Sequence, residues 1–167
     1  TEAFKADENP EKINLGVGVY KDEQGRTPLL DAVKHAERII FESESSKSYK
    51  PMSGDPEFAK VTQAMLFGDG APVVVEGRAQ TAHTPGGTGA LRVAGDYLRA
   101  MHPDAAIWVS TPTWANHKGV FGAAGLPIQA YRYFDAQQNA LDEAGMLEDL
   151  SHAKSGDAVL IHACCHN

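Results

Sequence analysis

The chain has 167 residues, 43% of them apolar and 22% charged, a composition that excludes disordered and collagen-like chains. That length fits one domain and can bury a real core. A net charge of -7 argues against a generic nucleic-acid or anionic-membrane binder, and no stretch approaches the ~18 apolar residues of a membrane helix.

No repeat, low-complexity tract or charged-then-apolar leader pattern is visible. The first dozen residues are polar and read as peripheral. Residues 13–20 alternate apolar side chains with Asn14, Gly16 and Gly18 and read as a short extended segment. A turn follows at 21–25. Pro28 opens a helix over residues 29–42, with Leu29, Leu30, Val33, Ala36, Ile39 and Ile40 on one stripe. Residues 43–54 read as a loop. Asp55-Pro56-Glu57 caps a second helix running to about residue 66.

From residue 78 the rhythm changes. Residues 78–84 read as a strand, Pro85-Gly86-Gly87-Thr88-Gly89 as a turn, and 90–101 as a helix. Apolar strands are expected at 105–110, 128–133 and 158–164, with helices at 116–124 and 141–152 between them. Strands alternating with helices predict an α/β fold with a parallel sheet covered on both faces. Cys164 and Cys165 are adjacent, so in a strand they point to opposite faces and do not bridge. Buried strand thiols in a reducing, cytoplasmic compartment are the natural reading.

Three segments meet at the carboxyl edge of such a sheet, where ligands bind in open parallel folds. The turn around Gly86, Gly87 and Thr88 reads as a phosphate cradle at a helix N-terminus, or simply as a tight glycine-rich βα turn. It is neither a Walker A loop nor GxGxxG, and Ser110 stands where a dinucleotide site wants an acid. In the loop after the next strand, Trp114 and His117 share a helix-start face. The indole either stacks on an aromatic ligand or packs the loop onto the core. The last strand carries His162, the two thiols, His166 and Asn167. In an extended strand His162 and His166 lie about 13 Å apart, too far for one metal, so no metal site is expected. A hydrogen-bonding Asn167 facing a ligand fits better. No Ser-His-Asp set or paired carboxylates can be read. A non-catalytic phosphate- or nucleotide-binding α/β module remains the alternative function.

In order and spacing, five segments resemble the class I aspartate/aromatic aminotransferases, pyridoxal-phosphate enzymes of fold type I. They are Ile13-Asn14-Leu15-Gly16-Val17-Gly18-Val19-Tyr20-Lys21, then Lys47-Ser48-Tyr49, then Thr84-Pro85-Gly86-Gly87-Thr88-Gly89-Ala90-Leu91-Arg92. Pro112-Thr113-Trp114-Ala115-Asn116-His117-Lys118 and His162-Ala163-Cys164-Cys165-His166-Asn167 complete the set.

The resemblance implies pyridoxal 5'-phosphate as cofactor, with Gly86, Gly87 and Thr88 on its phosphate and Trp114 stacked on its ring. It implies Asn167 as a donor to the ring's phenolic oxygen. His117 would support the aspartate that faces the pyridine nitrogen. Gly18, Trp114 and Asn167 would border the substrate, and Tyr49 would reach the cofactor phosphate of a partner in a homodimer with shared sites. His162 and His166 would support the site from behind. Substrates would be L-aspartate or an aromatic amino acid and a 2-oxo acid. Residues 1–28 would belong to a small domain and 29–167 to a partial large, cofactor-binding domain with a mostly parallel sheet and flanking helices. Lys50-Pro51-Met52-Ser53-Gly54 departs from the family, which continues with an apolar residue and a Gly-Ile-type turn. The family's Schiff-base lysine, its ring-facing aspartate and its substrate-binding arginines have no counterpart here. The expectation is an amino-terminal portion cut after Asn167 and inactive alone, its 78–84 strand parted from the other three by strands encoded later.

Overall fold

The computed structural model describes residues 2–14, 16, 18–163 and 166; Asn167 and both cysteines lie outside the described residues. The chain divides into two units, Thr1–Tyr49 and Lys50–Asn167. The first holds α1 (Glu2–Ala6) and α2 (Asp31–Ser43). Its α2 follows the apolar period read from the sequence, but none of its residues is buried, and Leu29, Leu30, Val33, Ile39 and Ile40 of the predicted stripe are exposed. Local terms sustain the helix, including the Lys34–Glu37 pair at 2.8 Å.

In the second unit α3 (Pro56–Phe67) starts as predicted. Asp55 accepts the Glu57 N–H at 2.9 Å and Pro56 occupies the first turn, where its missing N–H costs nothing. A short α4 (Pro72–Val75) follows. Residues 78–84, expected as a strand, form none. A strand needs a ladder partner, and none of the described strands pairs with this segment. Contacts to α3 hold this segment instead. The Gln63 side-chain amide donates to Thr81 Oγ1 at 2.9 Å, and the His83 ring stacks on Phe58 at 4.1 Å.

After α5 (Gly86–Met101) come β1 (Ile107–Thr111), α6 (Ala115–Ala123) and β2 (Ile128–Arg132). A small antiparallel pair, β3 (Phe134–Asp135) and β4 (Ala140–Leu141), was not legible in the sequence; it is followed by α7 (Glu143–Leu150) and β5 (Ala158–Val159). Among the described residues the main sheet is parallel, in the order β2-β1-β5, with Ile107 opposite both Ile128 and Ala158. The central strand β1 is buried on both faces, which is why it reads as a continuous apolar run. Ile107, Val109, Phe121 and Leu126 form the core cluster, with Leu91 and Leu98 of α5 packed against it.

Two close contacts set this layer. Gly95 is the buried residue of α5, and a Cβ there would lie 3.0 Å from Ala124 Cβ and 3.2 Å from Phe121 Cδ1. Only glycine lets α5 and α6 approach so closely. At the opposite edge Asp157 ties the start of β1 to β5. Its carboxylate accepts the Ala106 N–H at 2.8 Å, the Trp108 indole N–H at 3.0 Å and the Lys154 N–H at 3.0 Å.

Those donors, the Ala106 amide first, hold the Asp157 carboxyl down at about 2, against 3.8 for a free side chain. A depressed carboxyl stabilises the fold above its unfolded value and loses that contribution as pH falls through the folded one. The melting temperature is therefore expected to drop as pH falls from 3.8 toward about 2. Asp157→Asn should melt lower at neutral pH and show a shallower acid-dependent fall, the remainder coming from Asp149, which Arg132 also holds down at about 2. Thermal melts across this range check both.

Among the described residues no helix is long and apolar enough to cross a membrane.

Candidate functional site

The site is built where α5 begins. Pro85 caps it and offers no side-chain bond to the first turn. Gly86 has φ +70°, a left-handed conformation that costs other residues roughly 1–2 kcal/mol. Its N–H turns back to the Thr84 carbonyl at 2.9 Å. First-turn amides have no acceptor within a helix, so those of Gly87 and Thr88 stand ready for an anion, with the positive end of the helix dipole behind them. A Cβ on Gly87 would meet nothing within 4 Å, so the approach is open.

Facing this turn is the loop between β1 and α6. Gly87, Thr88, Ala90, Leu91, Trp114 and His117 line one cleft of about 680 Å³. Trp114 is the last residue before α6 and is 38% exposed, a platform left partly open. The loop ends in the turn of α6 because the His117 N–H returns to the Trp114 carbonyl at 2.9 Å. His117, only 5% exposed, meets Trp114 edge-on at 5.3 Å between ring centres. Its Nδ1 is 2.8 Å from Thr113 Oγ1.

Behind His117 the aromatic contacts continue. His162 packs edge-on against it at 5.3 Å, His166 stacks on His162 at 4.1 Å, and Tyr133 stacks on His166 at 3.9 Å. This corrects the expected extended strand and its wide histidine spacing. β5 ends at Val159, after which Leu160 donates a last ladder bond to Trp108 at 2.9 Å. The chain then bends, and ring stacking replaces the sheet. Burial first, then the neighbouring His162 and His166, push the His117 imidazole below its usual value, and burial does the same to His162. Both are therefore neutral at pH 7.

The structure thus brings Gly87, Thr88, Trp114 and His117 to one cleft and sets Gly86 at its rim turn. Gly18 and Tyr49 belong to the first unit, where a Cβ on Gly18 would meet nothing within 4 Å and Tyr49 is fully exposed. Asn167 lies outside the described residues. The sequence did not reveal Ser110, 1% exposed, whose hydroxyl donates to the Pro112 carbonyl at 2.8 Å. Its signal was a hydroxyl next to last in an otherwise apolar strand, before Thr111.

The sequence profile of the family described as aminotransferase class I and II matches residues 10–167. An aspartate aminotransferase of Salmonella typhi is 53% identical over 98% of this chain and 41% of its own length. An aromatic-amino-acid aminotransferase of Paracoccus denitrificans is 48% identical over 98% of this chain and 41% of its own. The crystal structure of an aromatic-amino-acid aminotransferase from Burkholderia pseudomallei, covalently bound to pyridoxal phosphate, superposes with a TM-score of 0.91 at 44% identity. That match covers 99% of this chain and 42% of the Burkholderia one. The chain spans about 41% of the length of these curated relatives.

Proposed function

The chain belongs to the class I and II aminotransferase family, and from that premise we propose that its cleft is the phosphate and ring seat of a pyridoxal-phosphate enzyme. The protein moves an amino group between L-aspartate or an aromatic amino acid and a 2-oxo acid. The observation that carries this is the meeting of a bare helix start, Gly87 and Thr88, with the Trp114 platform in one cleft. An anion seat beside a flat aromatic surface fits a phosphorylated aromatic ring.

When bound, pyridoxal phosphate supplies an electron sink for bond cleavage at the amino acid's α-carbon. The α5 turn binds the phosphate through the Gly87 and Thr88 amides and the Thr88 hydroxyl. Trp114 orients the ring by its face. His117, neutral and in contact with Thr113, backs the indole and supports an acidic partner of the ring nitrogen. Asn167 would donate to the ring's phenolic oxygen, and Gly18 would leave room for the substrate carboxylate. Tyr49, with its side chain wholly exposed, reaches the phosphate of a second subunit in a homodimer. Residues 1–28 belong to a small domain and 29–167 to a large one. With only two cysteines the chain has no disulfide framework to build, which supports a cytoplasmic location.

None of the chain's nine lysines lines the cleft. A polypeptide of these 167 residues is therefore expected to give no transamination in a coupled assay. It should still bind pyridoxal phosphate reversibly, seen as a shift in the cofactor's absorbance that inorganic phosphate competes away. Binding of a nucleotide, with none of pyridoxal phosphate, would overturn the reading.

A further inference from the structure

The indole of Trp114 makes no side-chain capping bond to α6, and its loop crosses from a buried strand to a helix in three residues. Something has to hold that loop. Three contacts converge on one atom, the carbonyl oxygen of Pro112. Ser110 Oγ donates to it at 2.8 Å, His166 Nε2 lies 3.0 Å from it, and Nε2 is also 3.0 Å from Ser110 Oγ. A carbonyl only accepts, so the Pro112 contact is a hydrogen bond in the tautomer that carries the His166 ring proton on Nε2. The ring cannot turn away, because it is stacked between Tyr133 at 3.9 Å and His162 at 4.1 Å.

We propose that Ser110 and His166 are positioning residues: together they clamp the Pro112 carbonyl and thereby set the height and tilt of Trp114 in the cleft. Ser110 comes from the end of the central strand and His166 from the segment beyond β5. The loop is thus fastened, through a single atom, both to the end of β1 and to the segment that follows β5. Neither residue lines the cleft, and both act on the ligand through Trp114. A platform held in this way is preorganised, so less ordering is lost when a flat ring lands on it. The consequence for ligand binding rests on the proposed cofactor seat, whereas the clamp itself does not.

The test uses the full chain labelled with 5-fluorotryptophan, the Trp114 fluorine resonance being identified by its loss in Trp114→Phe. Ser110→Ala removes the hydroxyl. His166→Phe keeps a ring in the stack and removes the donor. His166→Gln gives up the ring and keeps an N–H within reach. Ser110→Ala and His166→Phe should shift and broaden the Trp114 resonance while the Trp108 resonance stays in place, and His166→Gln should bring it back toward the wild-type position. If Ser110→Ala loses the folded Trp108 signal, the two His166 variants decide between them. An unmoved Trp114 resonance in His166→Phe, or a His166→Gln variant no better than His166→Phe, overturns the proposal. Pyridoxal phosphate affinity, read by absorbance, should fall about threefold to tenfold in Ser110→Ala and His166→Phe, the size of one lost hydrogen bond. Wild-type chain that binds none of the cofactor, with the resonances behaving as expected, overturns the cofactor seat and leaves the clamp standing.

Discussion

Phe121→Ala is expected to cost about 3–5 kcal/mol of folding stability, enough to unfold a large share of a marginal domain at 37 °C. The ring is 2% exposed and sits in the cluster with Ile107, Val109 and Leu126. It also faces Gly95 of α5, which has no side chain to fill the cavity. Phe121 lies four residues beyond His117 on the same face of α6. Its loss should therefore loosen the histidine that backs Trp114 as well as the core. Urea denaturation followed by circular dichroism measures the first effect. The second appears as weaker cofactor binding under conditions where the variant is still folded. Phe121→Leu, which keeps most of the volume, should lose far less.

The second large effect concerns the platform. Trp114→Ala should weaken pyridoxal phosphate binding by roughly 10- to 100-fold, the scale of about 1–3 kcal/mol for one aromatic stacking surface. Trp114→Phe keeps a smaller face and should lose only about threefold on the same scale. Fold stability should hardly move in either variant, because Trp114 is 38% exposed and lies outside the core cluster. Titration of the cofactor absorbance against each protein gives the ratio directly. Equal affinities in all three would show that the indole packs the loop and does not seat a ring.

Features written in local chemistry were legible in the sequence. Asp55-Pro56 announces a helix start through one side-chain acceptor and one missing N–H, and the structure starts α3 there. The continuous apolar run of β1 announces a strand covered on both faces. The glycine-rich turn announces a backbone that other residues would resist, and Gly86 indeed has a positive φ. What failed to show depends on partners distant in the chain. Residues 78–84 have strand-like side chains, but a strand exists only where another offers its edge, and in the described sheet none does. The run after Val159 looked like more strand because most of its side chains are apolar, yet among the described residues the ladder stops at Leu160, and His162 and His166 stack on each other. The apolar stripe of α2 was legible, while its lack of burial was not, since burial is a property of what surrounds a helix.

The closeness of α5 and α6 at Gly95 has a consequence for anyone wishing to re-engineer the cleft. One helix begins with the glycine turn and the other begins beside the indole, while Gly95 meets α6 at Phe121 and at Ala124 just past its end. That single hydrogen in place of a methyl group works as a ruler between the two halves of the seat. Widening the gap for a bulkier ring would begin at residue 95, which no ligand would touch. Substitutions among the cleft residues themselves would change what is recognised but not how far apart the two recognising surfaces stand.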